Sequence, residues 1–177
     1  MTKGKGMTST KYFSSKQENA IAKYLDWSVV SGSGSRQCCP GDIESSGWLG
    51  ECKTHEKSGH RIVFQKSVWS KIAVEAMSKF KLPALFTDDG SQDINHTWCM
   101  ISQNCILSGV AFDKLPDIFI NKSTISFRHE DLLSQYNQIS RARTEPCVYS
   151  AQIYLKSEIA IMPLRTFHRL FEEGILC

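Results

Sequence analysis

No stretch of this chain stays apolar for the roughly 20 residues that a bilayer-spanning helix needs, so no transmembrane span is expected. Cysteine pairs at CxxC spacing are missing too. Cys38, Cys39, Cys52, Cys99, Cys105, Cys147 and Cys177 are odd in number and irregularly placed, which gives no support to a zinc ribbon or a thioredoxin-like site. They suit reduced, mostly buried thiols in a reducing compartment. The opening MTKGKGMTSTK lacks the apolar segment of a secretory signal and so points to the cytosol. Neither sign of charge dominates: 21 basic against 18 acidic residues leave +3, which permits a polyanionic partner without demanding one. Repeats and linker-like stretches are lacking as well.

What is present is the composition of a globular protein, 41% hydrophobic and 22% charged over 177 residues. That length accommodates one domain with a real core. Residues 1–13, rich in Lys, Gly, Ser and Thr, read as a loosely held arm, and 14–177 as a single domain of alternating helices and strands. A first helix is expected from Ser14 or Ser15 to about Trp27, with Ala20, Ile21, Tyr24 and Leu25 along one side and Glu18 near the edge of that face. Ser31 to Gly41 is a glycine- and serine-rich break. Asp42-Ile43 and Trp48 to Thr54, separated by the turn-like Glu44 to Gly47, read as an antiparallel hairpin, with a brief extended segment at Ile62 to Gln65.

A second helix follows at about Lys66 to Lys81. Val68, Ile72, Ala76 and Phe80 recur on one side with Trp69, Ala73 and Met77 beside them, and Pro83 stops it. These apolar positions are expected in the core. Ala84 to Thr87, Trp98 to Ile101, Cys105 to Leu107, Ile118 to Ile120, Ile125 to Phe127, Gln152 to Leu155 and Glu158 to Met162 are strand candidates. Arg128 to Ile139 and a segment from Pro163 to Gly174 read as helices.

The chemistry concentrates in a short stretch. Side chains alternate faces along a strand, so Glu51 and Lys53 project together, ~7 Å apart, while Cys52 points into the core. Asp42, on the preceding arm of the hairpin, can meet them. Carboxylates held this close repel unless a cation lies between them, and a hard, oxygen-liganded ion such as Mg²⁺ is the natural occupant. Metal ligands at Asp42 and Glu51 beside an ammonium at Lys53 are the parts that phosphodiester hydrolysis needs.

The order Glu18 on a helix, a Gly/Ser loop, Gly41-Asp42-Ile43 and then Gly50-Glu51-Cys52-Lys53-Thr54 resembles the PD-(D/E)xK nuclease superfamily. Within it the pattern looks like the Holliday-junction resolvases and related phage endonucleases. The resemblance covers about residues 14–90. It departs from the superfamily label in placing Gly41 between Pro40 and Asp42.

The resemblance implies an α/β (α+β mixed) fold of the restriction-endonuclease type, a central mixed β-sheet flanked by helices. It implies a catalytic core at about 14–95, elaborated by 96–177, and catalytic residues Glu18, Asp42, Glu51 and Lys53. Glu18, Asp42, Glu51 and the Cys52 backbone carbonyl would ligate Mg²⁺, with Mn²⁺ as a substitute. The activity implied is DNA endonuclease cleavage, structure-selective on branched DNA, by a homodimer in the cytoplasm, with a phage-encoded protein in a host cytoplasm as one setting. A sequence-specific restriction-type nuclease and a non-catalytic DNA-binding or assembly protein on the same fold are the alternatives.

Around this centre several residues carry two readings. Ser31, Gly32, Ser33, Gly34 and Ser35 form either a flexible connection or a backbone that approaches DNA phosphates, with Arg36 assisting. Thr54, His55, Lys57, His60 and Arg61 form either a solvated loop or a phosphate-contacting strip. Gln65 and Lys66 open the second helix, where related nucleases sometimes place a polar site residue. The five histidines are dispersed; His96 and Cys99 have a ligand-like spacing without a second pair to complete it.

Overall fold

The protein was analysed as a computed structural model that describes residues 9–31, 39–154 and 157–177. In chain order the elements are α1 (Ser9–Leu25), β1 (Ser28–Val29), β2 (Ile43–Glu44), β3 (Trp48–Lys53), β4 (Ile62–Gln65), α2 (Lys66–Ser78), β5 (Leu82–Thr87), β6 (Trp98–Ser102), β7 (Ala111–Lys114), β8 (Ile120–Asn121), β9 (Thr124–Phe127), α3 (His129–Arg141), β10 (Cys147–Tyr154), β11 (Ser157–Pro163) and α4 (Leu164–Glu172).

Eight strands form one mixed sheet in the order β1-β2-β3-β5-β6-β11-β10-β7, and β4-β9-β8 form a second, small antiparallel sheet. The β2–β3 hairpin pairs Ile43 with Gly50. β3 then runs parallel to β5, from Trp48 opposite Leu82 to Lys53 opposite Thr87. A parallel pair needs a crossover, and the β4–α2 segment supplies it. The large sheet draws its β5–β6 junction and everything beyond it from both halves of the chain, so the strands carrying Asp42, Glu51 and Lys53 share a sheet with those after residue 96. The expected α/β architecture, a central mixed sheet flanked by helices, is the one observed.

Alternation along the central strands feeds two cores. Trp48, Cys52, Phe86, Cys99, Ile101, Ala160 and Met162 face α1 and α4, meeting Ile21, Leu25, Phe167 and Leu170. Leu49, Leu85, Trp98, Met100, Ile159 and Ile161 face the other way, onto α2, α3 and the small sheet. A strand buried on both faces reads as a continuous apolar run, as Ala84 to Thr87 does.

Several expectations need correction. α1 begins at Ser9, so residues 9–13, assigned to the arm, are helical; the stretch Ser9 to Ser14 has no helix breaker and simply extends the register of Gln17, Ile21 and Leu25. α2 ends at Ser78, and Pro83 lies in β5 rather than ending the helix. Its apolar stripe is narrower than expected. Trp69, Ile72 and Ala76 are buried, whereas Met77 and Phe80 are 74% and 98% exposed, because the helix stops before Phe80 and the sheet meets only one side of it. Cys105 to Leu107 is no strand. It is a short 3-10 turn, Gln103–Cys105, followed by a single bridge from Ile106 to Leu176. Ile118 belongs to another such turn, Asp117–Phe119, ahead of β8. β1 and β7 went unanticipated: β1 is only two residues long, and β7 has no buried side chain to give an apolar pattern. Gln152 to Leu155 is the end of a longer strand; Leu155 itself lies outside the described residues.

Candidate active site

Asp42 stands at the entrance to the β2–β3 hairpin and its backbone is held on both sides. Its N–H donates to the Gly50 carbonyl, and its own carbonyl accepts from Val30, each at 2.8 Å. Gly41 makes the approach possible: its φ is +76°, and a Cβ there would lie 2.6 Å from Leu49 Cδ1. The departure Pro40-Gly41-Asp42 therefore has a steric cause. So held, Asp42 turns Oδ2 to the Cys52 N–H at 2.8 Å.

From that same residue the strand sends its side chains apart. Cys52 enters the core beneath α1, and burial pushes its thiol far up from its ordinary range. Glu51 and Lys53 share the opposite face, where Lys53 Nζ donates to Glu51 Oε1 at 2.5 Å. Glu51 is only 5% exposed, while the Lys53 side chain is 46% exposed, which keeps its ammonium open to solvent. Lys71, one turn and a half into α2, brings a second ammonium to 3.6 Å from the same Glu51 oxygen and to 3.7 Å from Glu75. Nothing in the spacing of the helix marked Lys71 beyond its place on the polar side. Only the packing of α2 across β3 shows it.

Glu18 approaches from α1. Burial, then repulsion from Asp42, lifts its carboxyl from an ordinary 4.5 to about 7, with Lys53 opposing and Glu51 adding to the rise. Asp42 is raised by burial first and by Glu51 second, partly offset by the Cys52 N–H, Lys53 and Lys71. Burial works against the Lys53 ammonium, but its bond to Glu51 and the attraction of Glu51 and Asp42 outweigh it and raise the pKa. The residues picked out in the sequence thus form one coupled electrostatic group. Next to Glu18, Gln17 is 1% exposed and donates from Nε2 to the Lys53 carbonyl at 2.9 Å, tying α1 to the end of β3. Gln17 was not anticipated; its place in the Gln17-Ile21-Leu25 stripe was the available signal.

A cleft of about 230 Å³ opens beside Lys53, lined by Thr54, His55, Val63, Gln65, Val68, Leu85 and Thr87. Gln65 therefore shares a surface with the candidate site. Lys57 is exposed in the loop after β3. Arg61 is exposed as well, but its guanidinium donates to Ser126 Oγ at 2.8 Å and to the Ser126 carbonyl at 2.6 Å, bracing β4 on β9. Ser31 is exposed at the end of the segment after β1; Gly32, Ser33, Gly34, Ser35 and Arg36 lie outside the described residues.

Four of the five histidines are paired in space, and the fifth, His168, packs against Tyr24. His55 stacks on His60 at 4.5 Å, and His96 on His129 at 4.1 Å. His96 Nδ1 meets Asp89 Oδ2 at 2.9 Å, and buried His129 accepts from Trp98 Nε1 at 3.2 Å. Cys99 faces the opposite core from these rings, which rules out a His96–Cys99 ligand pair. Beneath the loop after β3, Asp88 is fully buried and accepts from Thr54 Oγ1 at 2.5 Å and from the Gly90 N–H at 2.9 Å.

Among the described residues no three His, Cys, Asp or Glu side chains converge as a finished metal cage, since Glu51 is turned to its lysines and Asp42 to the Cys52 amide. The donor chemistry nonetheless fits a hard divalent cation. Burial and mutual repulsion raise Glu18 and Asp42 beside a buried Glu51, and a cation among these oxygens would relieve that repulsion. Comparison of the chain with protein-family models, curated proteins and solved structures finds no match.

Proposed function

We propose that this protein is a metal-dependent DNA endonuclease of the PD-(D/E)xK kind. The observation that carries the reading is the coupling of Glu18, Asp42 and Glu51 with Lys53 at one end of the β2–β3 hairpin. Asp42, Glu51, Glu18 and the Cys52 carbonyl would hold Mg²⁺ or Mn²⁺. When bound, such an ion supplies Lewis acidity toward a phosphoryl oxygen and lowers the pKa of its water.

The chain's own residues do the rest. Lys53, half-exposed and charged, is placed to orient an attacking water or to meet charge developing on the phosphate. Its mate Glu51 is fixed by burial and by two ammonium groups, so the carboxylate is oriented before substrate arrives. Asp42 is aimed by the Gly41 turn and the Cys52 amide. Gln65 and the surrounding cleft lie where a DNA strand would pass.

Branched DNA is the substrate we favour, cut by a homodimer that sets two sites against two strands. Cys52, Cys99, Cys105 and Cys147 are buried thiols, which is compatible with the reducing cytoplasm we assign it. Among the described residues no helix is long and apolar enough to cross a membrane.

The test is incubation of the protein with a labelled four-way junction and a matched linear duplex, in Mg²⁺ or in EDTA, alongside Glu51→Ala. Metal-dependent cutting that the variant loses supports the reading, and preference for the junction supports the resolvase type over the restriction type. Binding of DNA with no cutting in Mg²⁺ or Mn²⁺ would transfer the reading to a non-catalytic DNA-binding protein.

A further inference from the structure

Two cysteines far apart in the sequence meet beyond the end of α4. The helix stops at Glu172, and Gly174, at a φ of +66°, turns the chain so that the Ile175 N–H bonds back to the Leu170 carbonyl at 2.9 Å. That turn lays residues 175–177 alongside the 3-10 turn Gln103–Cys105 and the residues that follow it. The Leu107 N–H donates to the Ile175 carbonyl at 2.9 Å and the Cys177 N–H to the Cys105 carbonyl at 3.0 Å. These bonds stand on either side of the antiparallel bridge between Ile106 and Leu176. Ile106, Ile175 and Leu176 pack on the core shared by α1 and α4, which holds the register.

This register sets Cys105 opposite Cys177. Opposed residues of an antiparallel pair have Cα atoms about 4.5–5.5 Å apart, and a disulfide spans about 4.4–6.8 Å. The sulfur atoms are together as well. Cys177 Sγ donates to the Cys105 carbonyl at 3.1 Å. Burial first, and then the charge and hydrogen bonding of the Cys177 thiol, push the Cys105 thiol up to about 12. The pair is asymmetric: Cys105 is 4% exposed, whereas Cys177 is open to solvent. Cys99 also neighbours Cys105, but it is fully buried within β6.

We propose that Cys105 and Cys177 form a redox-active dithiol, closed by a peroxide into a disulfide that staples the segment after α4 to the turn after β6. Neither cysteine belongs to the candidate active site, and nothing in this chemistry depends on nuclease activity.

The exposed Cys177 reacts first. Its thiolate sulfur attacks one peroxide oxygen, the O–O bond breaks, and hydroxide leaves with the bonding pair, taking up the thiol's proton to become water. Cys177 is then a sulfenic acid. The Cys105 sulfur attacks the Cys177 sulfur, the S–O bond breaks, and the hydroxyl leaves with the Cys105 proton as a second water. Two thiols have lost two electrons, and one hydrogen peroxide has gained them. Two equivalents of a low-molecular-weight thiol reverse the step by exchange and end as a disulfide themselves. Disulfides in a reducing compartment are of this transient kind. The bond closes a loop of about seventy residues, so it restricts the unfolded chain strongly.

The test treats the reduced full chain with a slight excess of hydrogen peroxide, as wild type, Cys105→Ser and Cys177→Ser. Non-reducing peptide mapping with fragmentation locates the bond, and Tm is measured before and after dithiothreitol. Cys177 is exposed, so its variant should fold normally. The wild type is expected to yield a Cys105–Cys177 linked peptide and a Tm higher by roughly 5–10 °C, both undone by dithiothreitol. Cys105→Ser should stop at the Cys177 sulfenic acid, trapped by dimedone, and Cys177→Ser should show neither the link nor the rise.

A wild type whose Cys177 goes on to sulfinic acid, or bridges to a second molecule, with no Cys105–Cys177 peptide, would overturn the pairing. So would a bond from Cys105 to Cys99. An equal rise in Tm for Cys177→Ser would overturn the staple. All of these are read without DNA, so none of them bears on the nuclease reading.

Discussion

Glu18 and His129 give the protein two opposed responses to pH. The Glu18 carboxyl rises from 4.5 to about 7 on folding, so the folded state holds a proton that the unfolded chain releases. Its contribution is present below about 4.5 and is lost as pH rises through 7. His129 is lowered, by burial first and by His96 second, so the unfolded chain takes up a proton that the folded state refuses; that contribution is lost as pH falls below 6.5. In EDTA, Glu18→Gln is therefore expected to flatten the fall in Tm between pH 5 and 8, and added Mg²⁺ to reduce the same fall in the wild type. A Glu18→Gln curve parallel to the wild type in EDTA would refute the assigned coupling. At the same scale, Gly41→Ala places a Cβ 2.6 Å from Leu49 at a φ of +76°. It should cost about 1–3 kcal/mol by urea unfolding and, on the proposed nuclease reading, lower cutting, since Asp42 is aimed from that residue.

Among the elements, three helices end the same way. Trp27 N–H bonds to the Ala22 carbonyl, Lys81 to Ala76 and Ile175 to Leu170, each at 2.9 Å, after a residue of positive φ: Asp26, Phe80 and Gly174. Glycine suits that position because it has no Cβ to clash. At α2 the position holds Phe80, with φ 56° and a side chain 98% exposed, so its strain is offset by no burial. Phe80→Gly is expected to raise Tm by about 2–4 °C, the equivalent of about 1 kcal/mol. Gly174→Ala, where an added Cβ meets nothing but φ is 66°, should lower it by a similar amount. Calorimetry of the two variants checks both signs; a loss of stability in Phe80→Gly would show that the phenyl ring contributes where it lies exposed.

At the scale of the molecule, the large sheet separates two cores and each contains two of the four tryptophans: Trp27 and Trp48 toward α1 and α4, Trp69 and Trp98 toward α2 and α3. Because every central strand contributes to both faces, neither core can open without the other. Urea titrations of Trp27→Phe/Trp48→Phe and of Trp69→Phe/Trp98→Phe, each reporting on the opposite face, are expected to coincide with far-UV circular dichroism measured on the same variant. Within either variant, a fluorescence midpoint that departs from its dichroism midpoint would show that the two faces unfold separately.

Order along the chain already held much of this. The hairpin of Asp42, Glu51 and Lys53, the helix bearing Glu18, the buried strand at Ala84 to Thr87 and the final helix with its Gly174 stop could all be read from periodicity and turn residues, because these are local properties of the backbone. So could the face-sharing of Glu51 and Lys53, which follows from strand alternation alone. What had to wait for folding are the contacts between distant segments. Lys71 reaches Glu51 only because α2 lies across β3, and Gln17 finds the Lys53 carbonyl only because α1 docks at that strand's end. The exposure of Met77 and Phe80 depends on where the sheet stops covering α2, and the stacking of His96 on His129 depends on the start of α3 meeting the turn before β6. Local conformation is encoded within a few residues, whereas burial and electrostatic coupling belong to whatever surfaces the fold brings together.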